Sequence, residues 1–325
     1  MILEIVIFLA SILLLSWLSS SFVKTLVQIA RYLRWREFIV AFFVMGFAAS
    51  LPNLFIDLSA SLQGLPELAF GDIIGGNLID LTLIMAIVIF FGKKSVSTDS
   101  KMVQGSSIFT FLIAILPVFL IWTGKVTRLE GVILILAFFV YAYWLFSKDD
   151  RFKKAYRATK KEPKSSVIAN FIFVKNIAKM ILILLVLTVA SQGIIYAAKS
   201  FQEFLAPWGV SMALVGVLIV ALGNCLPEMY FGIISAKKGE GWMVVGDIMG
   251  AVIVPATLVL GIIALVHPFE IKDMSVFLTA RIFTVIAAIF FLITVRTGKK
   301  ITKKEALLLL FIYIIFIFVE IFIPK

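Results

Sequence analysis

Eight side chains that can offer oxygen or sulfur to a cation stand inside apolar stretches of this chain: Ser50, Asn53, Asp72 and Asp80 in its first half, and Asn224, Cys225, Glu228 and Asp247 in its second. Oxygen-rich sets of this kind suit hard cations such as calcium or sodium. Glu228 is the most demanding of them, because a carboxylate at the centre of a membrane span costs about 2.5–3.5 kcal/mol on insertion scales. No basic residue within its own span is placed to pair with it, so a functional role is expected, with Asp80 or Asp72 as the carboxylate facing it. Cys225 is the single cysteine, which excludes an intramolecular disulfide and argues against a soft-metal cluster.

These residues are spaced by a motif that occurs twice, 175 positions apart (Pro52 to Pro227). The first copy, ASLPNLFIDLSASLQGLPELAFGDIIGGNLIDLTLIM, begins at Ala49, and the second, NCLPEMYFGIISAKKGEGWMVVGDIMGAVIVPATLVL, begins at Asn224. Asn53 falls on Glu228, Gly64 on Gly239, Gly71-Asp72-Ile73 on Gly246-Asp247-Ile248, and Gly75 on Gly250. Proline removes a backbone donor and clashes one turn back, so Pro52 and Pro227 are expected to break or kink their helices at mid-membrane. The carbonyls so freed need protein, water or an ion as partner.

The glycines Gly71, Gly75 and Gly76, and Gly246 and Gly250, recur at helical spacing and would let helix backbones approach closely. Asp72 and Asp247 hold equivalent places; they either share a task at the site or hydrogen-bond the broken partner helix. Asp57, whose counterpart is Gly232, is expected to be exposed toward the outer end of its span. Glu67 and Glu240 fall at span starts, where a helix N-terminus favours negative charge. His267 reads as interfacial.

The surrounding elements must lie in a membrane. Hydrophobic residues make up 62% of the chain and charged ones only 15%, with a mean hydropathy of +1.10, which excludes an ordinary soluble domain of 325 residues. Windows of about 20 apolar residues give ten spans, at 2–23, 37–62, 67–92, 105–123, 126–147, 169–199, 207–236, 241–267, 274–296 and 302–323. The fold class expected is an all-α integral membrane protein, ten transmembrane helices arranged as two inverted five-helix repeats with broken helices at the midplane.

Lys and Arg number about 22 in one set of alternate loops against about 6 in the other, which makes the first set cytoplasmic and both termini extracytoplasmic. The first segment carries Glu4 rather than a basic leader, so it reads as a retained span. The location expected is the cell membrane, multi-pass. Five spans separate the two motif starts, an odd number, so the second copy enters from the opposite side. The halves are 1–147 and 169–325, joined by a basic cytoplasmic linker at 148–168. Trp122, Trp144, Trp208 and Trp242 near segment ends suit the interface as anchors. The net charge of +11 follows from the loop asymmetry, so no nucleic-acid partner is implied. No G-x-x-x-x-G-K-[ST] loop occurs, which argues against direct use of ATP. With no Ser/His or Cys/His pair within the spans, an enzyme is not expected.

The two blocks resemble the α-repeats of the cation/calcium antiporter superfamily, which includes sodium/calcium and proton/calcium exchangers and is written G-T-S-x-P-E followed by G-N-x-x-G-S-N. The second block is also similar to the more divergent exchanger branch found in mitochondria. The resemblance implies alternating access, with spans one and six as sliding gate helices. It also implies a central cation site built from the block carboxylates, neighbouring hydroxyls and further groups on spans three and eight. Position by position, Glu228 keeps the second block carboxylate, while the first is Asn53. Ser50 keeps a hydroxyl beside Ala49, and the two hydroxyl positions of the second block are Asn224 and Cys225. On span three the serine is Gly76 and the distal ligand Asp80; on span eight the matching positions are Ala251 and Pro255. The asparagine of G-N-x-x-G is Asp72 and Asp247.

The site so implied is asymmetric, with Glu228 and Asp80 able to balance one divalent cation. The function implied is antiport of calcium against sodium or protons. Magnesium, manganese or a monovalent cation stay open as substrates, and a passive channel or ion-binding sensor is the alternative. No permanently bound cofactor is expected. The partners are the lipid bilayer and the transported cations, with no obligatory protein partner inferred.

Overall fold

The computed structural model describes residues 1–32, 50–92, 95–147, 166–239, 241–271 and 274–322. Its first half holds α1 (Ile2–Tyr32), α2 (Leu51–Leu62), α3 (Pro66–Ile79), a π turn (Asp80–Ile84), α4 (Met85–Phe91), β1 (Val96–Ser97), α5 (Lys101–Leu120), β2 (Lys125–Val126) and α6 (Arg128–Ser147). The second half holds α7 (Ser166–Leu205), α8 (Met212–Val215), a π turn (Gly216–Val220), α9 (Ala221–Asn224), α10 (Leu226–Lys238) and α11 (Gly241–Val254). A further π turn (Pro255–Val259), α12 (Leu260–Val266), β3 (Phe269–Glu270), α13 (Met274–Arg296), β4 (Lys300–Ile301) and α14 (Lys303–Phe322) complete it.

The 175-residue period of the sequence reappears in these limits. α3 and α11, the π turns that follow them, α4 and α12, β2 and β4, and α6 and α14 all begin and end 175 residues apart. Each two-stranded sheet joins the halves: β1 pairs antiparallel with β4 (Val96 opposite Ile301), and β2 with β3 (Val126 opposite Phe269). The one ion pair across these strands, Lys125 Nζ to Glu270 Oε1 at 4.0 Å, is exposed and contributes little.

Among the described residues seven helices are long and apolar enough to cross a membrane, and they match the expected spans 67–92, 105–123, 126–147, 169–199, 207–236, 241–267 and 274–296. The span expected at 2–23 lies in α1, with the apolar stretch Ile2–Leu18, and that at 302–323 coincides with α14. The part of the span 37–62 before Ser50, most of the linker 148–168, and Glu240 lie outside the described residues. The helix after the linker, α7, is 40 residues long and outruns the span read from hydropathy.

Burial separates the centre from the periphery. Of an 18-residue apolar stretch within Pro66–Phe91, 83% is buried, and of one within Met243–Val266 78%, against 33% for Arg128–Leu145. α3–α4 and α11–α12 therefore form the core, and α6 faces lipid. Lipid tails compete with apolar side chains, so close backbone packing supplies much of the cohesion. A Cβ on Gly71 would lie 2.7 Å from Ala213 O, and one on Gly216 3.2 Å from Gly71 Cα, which shows the backbones of α3 and the 216–220 turn in contact. Gly76 and Gly246 do not serve this way: a Cβ on Gly76 would meet only Cys225 Sγ at 3.9 Å, and one on Gly246 nothing within 4 Å among the described residues. Trp122 and Trp208 are exposed at segment ends, whereas Trp144 is half-buried, 4.7 Å from the Phe109 ring.

The second break differs in detail from a kinked helix. α9 ends at Asn224, Cys225 forms the joint, and α10 starts at Leu226, so that Pro227 sits in the first turn of a new helix. Pro52 takes the same place in α2. The missing N–H of proline costs nothing there, since first-turn donors have no intrahelical acceptor.

Candidate functional site

Residues 72, 76 and 80 follow at four-residue intervals, which puts them on one face of α3 as it enters its π turn. That face meets the joint between α9 and α10. Asn224 Nδ2 donates to Asp72 Oδ2 at 2.5 Å. Cys225 Sγ lies 3.8 Å from Gly76 O and also reaches the Asp80 carboxylate. One turn further on, Glu228 is buried, and Asp80 is its strongest charged neighbour, followed by Asp247 and then Asp72. Asp80 and Glu228 are both buried, and Asp72 is hydrogen-bonded through Asn224 to the broken partner helix.

Inside the π turn that begins at Asp80, Thr82 Oγ1 donates to Leu78 O at 2.5 Å, the same bond to the carbonyl four residues back that Thr110 and Thr284 make in ordinary helix. Thr257, its counterpart 175 residues on, donates to Ile253 O at 2.5 Å in the second π turn. In that turn Pro255 takes the place of Asp80, so the carboxylate is present on one side of the site only.

Several buried polar atoms around this joint have no hydrogen-bond partner: Glu228 Oε2, Asp80 Oδ1, Asn53 Oδ1, Asp247 Oδ2 and both amide atoms of Asn77. Buried polar groups are ordinarily paired, and an oxygen left without a donor is suited to a cation. The described residues bring no three His, Cys, Asp or Glu side chains together as a metal cluster. A cation at Glu228 and Asp80 would therefore complete its shell from amide, hydroxyl and main-chain oxygens. Ser50 is buried at the start of α2, where its carbonyl accepts from Leu54 N at 3.0 Å. Asp247 is half-buried on α11.

Two residues were not legible as part of this region. Asp57 is fully buried, against the exposure expected of it, because α2 packs on α3 and α7. Asn77 is 1% exposed; its signal is that it matches the final asparagine of the G-N-x-x-G-S-N block.

The proteins of known sequence and structure can now be compared with this arrangement. The sodium/calcium exchanger protein family matches residues 3–147 and 175–322. The chain belongs to that family. Among its relatives, the sodium/calcium exchanger MaX1 of Methanosarcina acetivorans is 23% identical over 338 residues, covering 93% of each chain. The inner membrane protein YrbG of Escherichia coli K12 is 25% identical over 280 residues, 83% of this chain and 82% of the relative. The solved structure of the sodium-calcium exchanger NCX_Mj, soaked with sodium and strontium, superposes with a TM-score of 0.62 at 22% identity, over 97% of this chain and 98% of that one. The fold is thus that of NCX_Mj, and the chain is a multi-pass helical membrane protein of a secondary-transporter family, not an enzyme.

Within the exchanger fold, α1 and α7, the helices expected as a gate, pack along each other. Polar contacts tie α7 to the end of α2: Ser59 Oγ to Ser191 Oγ at 3.0 Å, Gln63 Nε2 to Gln192 Oε1 at 2.7 Å, and Lys199 Nζ to Gln63 Oε1 at 3.3 Å. One prediction follows from the open space at Gly76. A Gly76→Ser exchanger, which restores the serine of the family block, should fold with a thermal midpoint within a few degrees of the parent, in keeping with the small effect of sterically compatible substitutions. It should also bind the transported cation more tightly. A drop in midpoint comparable to that of a core overpacking variant would show that the space beside Cys225 is not there.

Proposed function

We propose that this exchanger is a secondary antiporter moving calcium out of the cytoplasm against sodium or protons by alternating access. In this reading its ten spans form two inverted five-helix repeats, with both termini outside the cytoplasm. Glu228 and Asp80 supply the charge of the central cation site, and Asn53, Ser50, Cys225 and Asp247 border it.

The observation that carries the reading is the charge imbalance of the interior. Asp57, Asp72, Asp80 and Glu228 are each at most 5% exposed, and Arg281 is the one basic side chain among the described buried residues. Arg281 is occupied elsewhere, donating from its guanidinium to Ile121 O at 2.8 Å. Carboxylates in a membrane interior are kept for ion pathways and proton relays, where cations offset their charge. Transport driven by gradients needs no nucleotide site, and each net charge moved is worth about 2.3 kcal/mol per 100 mV.

The test is calcium uptake into proteoliposomes under an imposed sodium gradient, an imposed proton gradient, or none. Uptake under one gradient and not without it supports antiport and names the coupling ion. Uptake without any gradient would instead support the channel reading that Asn53 and Pro255 raise, and no calcium movement at all would redirect the substrate to another cation.

A further inference from the structure

The turn that joins α13 to α14 carries Arg296, Lys299, Lys300, Lys303 and Lys304, all of them exposed. None lies within ion-pair distance of a carboxylate among the described residues, where the ion pairs are Met1–Glu4 and Lys125–Glu270. The carboxylates closest in the chain and the sheet are taken by other donors. Glu305 accepts from Thr302 N at 2.7 Å and from the Thr302 hydroxyl at 2.8 Å, and Asp99 accepts from Ser97 Oγ at 3.3 Å. The backbone under the cations is fixed: β4 pairs with β1, Thr98 N donates to Lys299 O at 2.9 Å, and Gln104 Nε2 and Thr98 Oγ1 donate to Val295 O at 2.8 and 2.6 Å.

Three of these lysines stand where the chain alone disfavours them. Lys299 has φ +52° and is the one non-glycine residue in the left-handed region among the described residues, a conformation in which a Cβ crowds the following carbonyl. Lys303 and Lys304 fall in the first turn of α14, where the helix dipole opposes positive charge. The first repeat shows that the turn needs none of this. There β2 leads into α6 through the same cap, Thr127 N to Glu130 Oε2 at 2.9 Å. Gly124, at φ +78°, takes the place of Lys299, Leu129 that of Lys304, and Ile121 that of Arg296. The extra cations are therefore not a requirement of the fold, and an anion among them would offset their mutual repulsion.

We propose that the α13–α14 turn binds an anionic phospholipid, its phosphate held by Lys299, Lys300, Lys303 and Lys304. Basic clusters beside a membrane span attract anionic headgroups, and the surface of α14 favours a lipid over a free phosphate. Leu307, Leu308 and Phe311, one and two turns beyond the lysines on the same side of the helix, are 59%, 45% and 59% exposed. They offer the acyl chains an apolar stripe directly below the charges. The site also reaches the core. β4 is paired to β1, and β1 lies on the start of α11, where a Cβ on Gly241 would be 2.9 Å from Ser97 N. A lipid held here braces the sheet at the point where the helix that carries Asp247 begins, so binding should stabilise the folded protein.

The experiment uses the full-length exchanger in detergent micelles, titrated with phosphatidylglycerol or with phosphatidylcholine of the same acyl chains, and reads bound lipid by native mass spectrometry beside the thermal midpoint. The parent should retain phosphatidylglycerol in preference to phosphatidylcholine and melt higher in its presence. The double variant Lys299→Gly/Lys304→Leu installs the residues that the first repeat uses in the same turn, so it should fold. Each cation near a headgroup is worth roughly fivefold in affinity, so this variant should bind phosphatidylglycerol about 25-fold more weakly. Lys303→Gln alone, a milder change, should lose about fivefold. Lys160→Gln/Lys161→Gln, which removes the same charge from the linker, should bind as the parent does.

Equal retention of the two lipids by the parent overturns the proposal, and so does undiminished binding in both turn variants. An equal loss in the linker variant would show that the basic face attracts anionic lipid as a whole and that the turn is no site. Inorganic phosphate that displaces phosphatidylglycerol and reproduces the rise in midpoint would reassign the turn to a soluble anion and overturn the lipid as its occupant.

Discussion

Glu228→Gln should abolish driven calcium uptake without harming the fold. The glutamine keeps the shape and one oxygen, and removes the charge. Even outer-shell partners of a bound metal cost 10–100-fold in affinity when lost, so removing one of the two charges of the central site should reduce uptake by more than about 100-fold at limiting calcium. Calcium-for-calcium exchange should vanish with it.

The parent holds Glu228 at 5% exposure with Oε2 lacking a partner. A buried charge of that kind is a cost to folding in the absence of a cation, so the variant should be at least as stable as the parent when calcium is chelated. Calcium should raise the thermal midpoint of the parent and leave that of the variant unmoved, as expected when a ligand binds only the folded form. Thermal melts with and without calcium, beside uptake assays, check both parts. Retained uptake in Glu228→Gln would count decisively against this centre.

Much of this centre could be read in the sequence because the motif repeats. A shared period of 175 residues carries the same local instructions twice, and α3, α4, β2 and α6 share it with α11, α12, β4 and α14. The three π turns could not be read there: Thr82 and Thr257 recur in two of them, but threonine makes the same bond in ordinary helix, and the turn Gly216–Val220 has none. What the repeat could not supply is contact between residues far apart in the chain. Asn224 reads as an oxygen ligand, yet its amide nitrogen is committed to Asp72, 152 positions away. Asp57 reads as exposed because its counterpart is a glycine, yet the packing of α2 between α3 and α7 buries it. At Asp57 the departure from the repeat is a charge that only one half of the protein carries.

The substitution with the largest expected effect on folding is Gly75→Ala. Gly71 and Gly75 lie one turn apart on α3, and the residues one step further along, Asp72 and Gly76, with Asp80 beyond, make up the face that meets Asn224 and Cys225. The glycine stripe is therefore what brings the acidic face to the joint. A Cβ at Gly75 would lie 2.7 Å from Val217 Cα and 2.9 Å from Val217 C. Those are main-chain atoms of the 216–220 turn, buried between helices, and they cannot swing aside as the end of a side chain would. Overpacking a core usually costs about 1–3 kcal/mol, and a backbone clash at the crossing of two central helices belongs at or above the top of that range.

Gly75→Ala should therefore yield little monodisperse protein, or protein with a clearly lowered midpoint, whereas Gly76→Ser, a larger addition one residue along, should be tolerated. The contrast matters more than either value, because composition, helix propensity and hydropathy all favour alanine over glycine here. If Gly75→Ala purifies with the midpoint of the parent, α3 does not cross the 216–220 turn as closely as described, and the meeting of Asp72 with Asn224 and of Asp80 with Cys225, which depends on that crossing, goes with it.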